Sequence, residues 1–541
     1  MPSVQLTIAR DFTVGPVPPR LFGSFVEHMG RCVYTGLYEP GHPSADADGL
    51  RQDVLDLVRE VGPTVVRYPG GNFVSGHDWE DFVGPREDRP RRLDLAWRTI
   101  ETNEFGLSEF VRWARKADVE PMMAVNLGTR GVREALELLE YANHPGGTRM
   151  SDLRRAHGDA DPFGIRLWCL GNEMDGPWQV GHKTAHEYGR LAAETARAMR
   201  LVDPSIELVA CGSSGRGMAT FGEWERVVLE ETYDVVDHVS AHAYYEEHEG
   251  PTGLADFLAC SADMDAFIDD VVATADAVKA RGRHSKQMTI SFDEWNVWYL
   301  SRHQQTDIAQ GRSGWDVAPR VIEDEYSVTD AVVVGTLLNS LLRHADRVAI
   351  GCQAQLVNVI GLLRSEPGGP AWKQASALPF EQVRRHARGE VLQLQAAGDR
   401  VDSPTYGDVP VVDATATWDE ESGTLALFLA NRAVDEESTV ALSALGLPSL
   451  RVLDAQVLAA PADGDRHAAN TGPAARPGRA PAPARHGRRG HDGAGPAARA
   501  VVGGRPARRR LTGTPGTVGQ RLGWRSVSVL LTMGSRPGGP P

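Results

Sequence analysis

The chain is poor in cysteine, with five in 541 residues: Cys32, Cys169, Cys211, Cys260 and Cys352. No two stand at the spacing of a zinc or redox pair, and an odd, scattered set argues for free thiols in a reducing compartment. No apolar run approaches the roughly 18 residues of a membrane-spanning helix. The amino terminus has no basic segment leading into an apolar stretch, so no secretory signal is read and a cytoplasmic location is expected. Positive charge is short as well: 57 Lys and Arg face 72 Asp and Glu, a net −15 at pH 7. That disfavours nucleic acid or an anionic membrane as the main partner. No Gly-rich dinucleotide fingerprint follows the first apolar run. His28 and His242 with Glu27 are the one metal constellation worth naming, and no third ligand of zincin spacing joins them, so no metal and no cofactor are expected.

A hydrophobic content of 41% and a charged content of 24% are those of a globular protein too long for one core, so a large domain with a smaller one is expected. The organising stretch is Arg166 to Trp178 (RLWCLGNEMDGPW). A short apolar run ends abruptly in Gly171-Asn172-Glu173, then Gly176 and Pro177 follow. It reads as a buried strand carrying an amide and a carboxyl to its C-terminal tip. Seven other runs share this form, starting near Leu21, Thr64, Pro121, Glu207, His238, Met288 and Arg347, each with a polar or Gly-rich tip. Between them lie segments of helical period, such as Leu107, Phe110, Val111 and Ala114. Thr184 and Glu187 have capping-box spacing before another helix.

Eight such units imply an α/β fold, a (β/α)8 TIM barrel over residues 16–385, with an open doubly wound sheet as the alternative. Residues 386–470 change to strands around a Glu-Glu-Ser-Gly turn, read as a C-terminal β-sandwich that the strand at 1–15 completes. Residues 471–541 change again: 13 Arg, no Lys and a single acidic residue, Asp492. The other 470 residues then hold 44 basic and 71 acidic residues, a net −27. This Ala/Gly/Pro/Arg-rich tail reads as disordered low complexity or as the product of a reading-frame shift; an arm for polyanions is the alternative. It carries no inference about function.

Two carboxyls on opposite strand tips of one barrel suit glycosidic bond cleavage. One must be held protonated to give a proton to the leaving oxygen, and the other must be ionised to attack the anomeric carbon or to activate water there. Glu173 on the fourth strand and Glu294 on the seventh are that pair, with Trp168 or other apolar residues expected beside Glu173. Asn172 is placed to hydrogen-bond a sugar hydroxyl, and Tyr244 to donate to Glu294. Trp178, Trp295 and Trp298 are candidates either for stacking on sugar or for packing. Cys169 and Cys352 are read as core.

The stretches FGSFVEHMGRCVYTGLYEP, VVRYPGGNFVSGHDWED, RLWCLGNEMDGPWQVGH, HVSAHAYY, ISFDEWNVWY and QAQLVNVI resemble the α-L-arabinofuranosidases of glycoside hydrolase family 51. The resemblance implies Glu173 as acid/base and Glu294 as nucleophile of a retaining mechanism. It implies a furanose pocket lined by Glu27, Asn72, Asn172, Tyr244 and Gln355. It further implies an intracellular, metal-independent exo-hydrolase, usually a hexamer, whose substrate is an arabinofuranosyl oligosaccharide. A β-xylosidase or endoglucanase on the same barrel, or a non-catalytic carbohydrate-binding relative, are the alternatives. The sequence departs from the family pattern at His77 and Phe82, read as part of a loop near the pocket mouth, and lacks a clean final sandwich strand.

Overall fold

The computed structural model describes residues 2–433, 436–460, 466–472, 518–522 and 527–535; of the last two segments the side chains of 532–534 alone are described. Its centre is a closed parallel barrel whose eight strands follow one another in chain order. They are Arg20–Phe25, Val65–Tyr68, Glu120–Val125, Leu167–Leu170, Glu207–Ala210, His238–Tyr245, Thr289–Val297 and Val348–Gln353. Each apolar run of the sequence has become a strand, because a strand covered on both faces needs apolar residues at successive positions. The fourth strand shows the division. Leu167 and Cys169 point into the barrel, where they meet Val65, Met122, Ala124, Val209, Ile350 and Cys352. Trp168 and Leu170 point outward into the layer packed against the helices. The barrel interior is narrow: a Cβ on Gly23 would lie 2.5 Å from Val65 Cγ1 and 2.8 Å from Cys352 Sγ.

The helices follow their sequence signals. Leu107, Phe110, Val111 and Ala114 are all buried on the helix Leu107–Ala117. Thr184 and Glu187 form the reciprocal box: Thr184 N donates to Glu187 Oε2 at 2.9 Å, and Glu187 N to Thr184 Oγ1 at 3.4 Å. The helix they start, Ala185–Val202, buries Tyr188, Ala192 and Met199, while Leu191 is only half-buried. The sixth and seventh strands run further than their apolar residues, to Tyr245 and Val297. Polar residues extend these strands because their side chains pair with one another across the barrel mouth.

The second unit is an eight-stranded sheet in which the N-terminal strand Ser3–Pro16 lies between Glu390–Gly398 and Ser438–Leu445. Its strand Thr424–Asn431 is buried on both faces by strict alternation. Leu425, Leu427 and Leu429 join the core of this unit, whereas Ala426, Phe428 and Ala430 join the barrel's outer core. Asp413 seals the junction, accepting from Asn339 Nδ2 (2.7 Å), Arg343 Nη1 (3.1 Å) and Arg432 Nη2 (2.7 Å).

A final strand, not legible in the sequence, is present at Val527–Ser535, between Thr424–Asn431 and Leu450–Leu458. The run Val527 to Met533 (VSVLLTM) has the composition a strand needs. Residues 473–517, 523–526 and 536–541, most of the segment read as disordered or frame-shifted, lie outside the described residues. A chain stopped at residue 470 loses this interior strand and the edge strand Val518–Leu522, and so unpairs one side of Thr424–Asn431, Ser438–Leu445 and Leu450–Leu458. Such a truncation is expected to lower the melting temperature and to elute partly as aggregate in size-exclusion chromatography; an unchanged melt and a single peak would show that these strands are dispensable.

Candidate active site

The C-terminal ends of the barrel strands open into a cleft of about 1190 Å³. Six of the seven residues singled out in the sequence line it: Glu27, Asn72, Glu173, Tyr244, Glu294 and Gln355. Asn172, 1% exposed, lies just behind them and donates through Nδ2 to Asn72 Oδ1 at 3.2 Å.

Local geometry explains how the carboxyls reach the cleft. After the fourth strand the backbone enters the left-handed region at Gly171 (φ +92°) and again at Glu173 (φ +44°). A non-glycine residue there is strained, and such strain persists only where surrounding contacts hold it. Those contacts are Trp178 Nε1, which donates to Glu173 Oε2 at 2.8 Å, and His242 Nδ1, 2.9 Å from Glu173 Oε1. In the seventh strand the register slips between Ser291 and Glu294. This bulge lets consecutive residues face the same side: Asp293 and Glu294 both turn inward, while Phe292 and Trp295 join the outer core.

The two carboxyls have unlike surroundings. Glu294 is an acceptor at both oxygens, from Arg67 Nη1 at 2.6 Å and Tyr244 OH at 2.7 Å. Arg67 also donates through Nη2 to Asn172 Oδ1 at 2.6 Å. Burial works against the Arg67 charge, but the Asp293 and Glu294 carboxylates outweigh it and hold the guanidinium well above its usual range. Burial together with the charge of Glu294 likewise raises the Tyr244 phenol, which stays a donor. One ligand atom each from Glu173, His242 and Glu294 falls within 4.8 Å of the others.

At the inner end of the cleft, Glu27 accepts at Oε1 from Phe73 N and Trp97 Nε1, both at 2.9 Å. Gln355 Nε2 donates to Glu27 Oε2 at 3.3 Å. The glycine pair before Asn72 is required by closeness, since a Cβ on Gly71 would lie 2.6 Å from Glu27 Oε2. Burial, then the charge of Glu294, push the Glu27 carboxyl up from 4.5 to about 8. Between these values the folded chain holds a proton that the unfolded chain has released, so stability falls as pH rises through the window and levels off above about 8. Glu27→Gln removes that dependence. Its melting temperature relative to the unmodified protein is expected to rise steadily from about pH 5 to about pH 8; a difference constant over that range would refute the buried neutral carboxyl.

Two expectations need correction, the place of Trp168 and that of His77 and Phe82, while Trp295, Trp298 and His28 resolve readings left open. Trp168 is not a neighbour of Glu173: period two along the strand turns it outward, and its Nε1 donates to Ile165 O at 2.9 Å. Trp178 takes that place, with half its surface exposed at the cleft. Trp295 is core, fully buried, while Trp298 lines the cleft and meets the Tyr244 ring edge-on at 5.0 Å. His28 does not join His242: its Nδ1 lies 2.9 Å from Glu101 Oε2 and its Nε2 2.9 Å from Tyr68 OH. His77 and Phe82 are not at the mouth. Both are buried, with ring centroids 3.8 Å apart, in the aromatic layer behind Phe73. Arg67, Asp293 and Trp97 have no site role in the sequence reading, and His242 enters it only as a metal candidate. Arg67, His242 and Asp293 stand on strand tips, and a charge inside an otherwise buried run was the available signal. Trp97, on the hairpin formed by Arg92–Asp94 and Thr99–Glu101, had none.

The chain matches two family models, an α-L-arabinofuranosidase 1 domain over residues 57–288 and an α-L-arabinofuranosidase C-terminal domain over residues 293–478. It is 59% identical over 473 residues to an intracellular exo-α-(1->5)-L-arabinofuranosidase of Streptomyces lividans, covering 87% of this chain and 70% of that one. An intracellular exo-α-(1->5)-L-arabinofuranosidase of Bacillus subtilis is 51% identical, covering 85% and 90%. Among solved structures, a family 51 α-L-arabinofuranosidase from Bifidobacterium longum superposes with a TM-score of 0.87 at 43% identity, covering 98% of this chain and 99% of that one. With this identity over nearly the whole barrel, and the same architecture in the structural relatives, the chain belongs to the α-L-arabinofuranosidases of glycoside hydrolase family 51.

Proposed function

We propose that the chain is a retaining, exo-acting glycosidase that removes terminal non-reducing α-L-arabinofuranosyl groups from arabinose-containing oligosaccharides. The observation that carries this reading is the carboxyl pair: one oxygen of Glu173 and one of Glu294 lie within 4.8 Å. Direct attack on the sugar requires carboxyls about 5–5.5 Å apart, whereas interposing a water requires roughly 6.5–9.5 Å. In this reading Glu173 gives its proton to the glycosidic oxygen as Glu294 bonds to the anomeric carbon and the aglycone leaves. The Glu173 carboxylate then takes a proton from water, whose oxygen attacks the same carbon and releases Glu294. Two inversions restore the starting configuration.

The division of roles follows from the partners. Both oxygens of Glu294 accept hydrogen bonds from Arg67 and Tyr244, which is the state a nucleophile needs. Glu173 borders Trp178 on the open side of the cleft, where the aglycone must leave. Glu27, Asn72, Asn172, Tyr244 and Gln355 form a closed, polar end suited to one small, fully hydrogen-bonded sugar, and a closed end favours cleavage from the chain terminus. A site built around specific hydroxyls rejects sugars lacking them by large factors, because its buried polar groups are left unpaired. The names of the relatives favour an intracellular enzyme, and the family resemblance favours a hexamer, which light scattering on the purified protein tests. A panel of aryl glycosides tests the activity. The aryl α-L-arabinofuranoside is expected to turn over fastest; faster turnover of the β-D-xylopyranoside or of a cello-oligosaccharide would overturn the assignment.

A further inference from the structure

The scheme above gives no task to His242, the side chain that reaches both carboxyls. It stands two residues before Tyr244 on the sixth strand and is 2% exposed. Its Nδ1 is 2.9 Å from Glu173 Oε1 and 3.8 Å from Glu294 Oε2, and its Nε2 is 2.9 Å from Asp293 Oδ1. Asp293, 1% exposed, is fixed in turn: Ser291 Oγ donates to its Oδ2 at 3.2 Å, and Arg67 Nε faces that oxygen at 3.9 Å. The seventh-strand bulge that aims Glu294 at the cleft therefore also presents Asp293 to the far side of the imidazole.

We propose that His242 is the positioning residue of the proton donor: anchored by Asp293, it fixes the Glu173 carboxyl and stabilises the carboxylate formed when the proton leaves. The inference rests on Glu173 being the acid/base. Once Glu173 has given up its proton, the ring lies with one nitrogen against each of two carboxylates, and it satisfies both only when both nitrogens carry protons. The groups facing it are Glu173, Glu294 and Asp293, with Arg67 beyond Asp293. Burial opposes its charge, but Glu294 and the hydrogen bonds to Asp293 and Glu173 prevail and push it up to about 10. In the first half-reaction the proton passes from Glu173 to the aglycone oxygen while the C1–O bond breaks and the bond to Glu294 forms. Glu173 is left as a carboxylate opposite Nδ1–H. In the second half-reaction it recovers a proton from the attacking water. His242 neither gains nor loses a proton over the cycle, and acts by charge and orientation on the strained residue Glu173.

The test compares two substrates in the full chain: an arabinofuranosyl disaccharide, whose leaving group needs a proton, and a 2,4-dinitrophenyl α-L-arabinofuranoside, whose leaving group does not. His242→Gln is expected to lower kcat/KM for the disaccharide by about 100-fold or more and for the dinitrophenyl substrate by less than about fivefold, the split expected when acid assistance is impaired. Asp293→Asn leaves the His242–Glu173 contact in place and should show the same split with smaller losses. Equal losses on both substrates in His242→Gln, beside a clear split in Glu173→Ala, overturn the inference alone. Equal losses in Glu173→Ala overturn the acid/base assignment and the inference with it. Should His242→Gln melt below the assay temperature, Asp293→Asn decides: an even loss there counts against the proposal just as directly.

Discussion

Glu294→Ala is expected to abolish turnover of every substrate, a loss of roughly 10⁴- to 10⁶-fold of the kind seen when a nucleophile is deleted, and azide should restore a product of inverted configuration. The small anion fits the space the carboxylate leaves and attacks the anomeric carbon once, with Glu173 still in place to protonate the aglycone. Glu173→Ala should behave differently. A substrate whose leaving group needs protonation should lose about 10²- to 10⁴-fold, while a dinitrophenyl glycoside should still load Glu294 and show a burst. Release of the sugar then lacks a base, and azide, which needs none, should yield the retained glycosyl azide. Proton NMR of the two azide products reads the stereochemistry directly. Opposite outcomes would exchange the roles of the two carboxyls. Inverted arabinose from the unmodified enzyme would defeat the retaining mechanism, and the oxygens lying within 4.8 Å would then need another explanation.

This contrast was partly legible in the sequence, and the limits have physical causes. Buried parallel strands announce themselves, since both faces are covered and the apolar residues run together; Leu167 to Leu170 before Gly171-Asn172-Glu173 is the plainest case. The ends of the sixth and seventh strands were hidden because His242, Tyr244 and Asn296 continue them with polar side chains that pair inside the mouth. Trp168, five residues before Glu173, lies away from it because side chains alternate along a strand and adjacency in sequence is not adjacency in space. Trp97 approaches Glu27 across 70 residues, and no local pattern reports a contact of that separation. The interior strand Val527–Ser535 lies in a stretch whose composition argues against order, so its apolar run was outweighed by its surroundings.

Arg67 joins what the sequence displayed to what it concealed, and its replacement has the second large effect expected here. The side chain is 1% exposed and lies among Glu294, Asp293 and Asn172. Arg67→Met fills similar volume but leaves the buried Asp293 and Glu294 carboxylates to share the His242 imidazolium. Breaking a buried pair from one side costs about 3–5 kcal/mol when the remaining charge has no counterpart, and with His242 still facing both carboxylates the loss falls toward the lower end of that range. The melting temperature should fall by several degrees, and activity should drop more than stability explains, since Glu294 loses a donor and Asn172 its anchor. Arg67→Lys separates the two effects. A lysine restores the charge but cannot hold Glu294 and Asn172 at once with two arms of a rigid fork. It should recover much of the lost stability while kcat on an aryl arabinofuranoside stays depressed, by roughly 10- to 100-fold if one or two charge-assisted hydrogen bonds to the nucleophile and its neighbour are missing. Should Arg67→Lys restore stability and kcat together, Arg67 would serve only to neutralise the buried carboxylates, and the two-armed geometry would have no part in orienting Glu294.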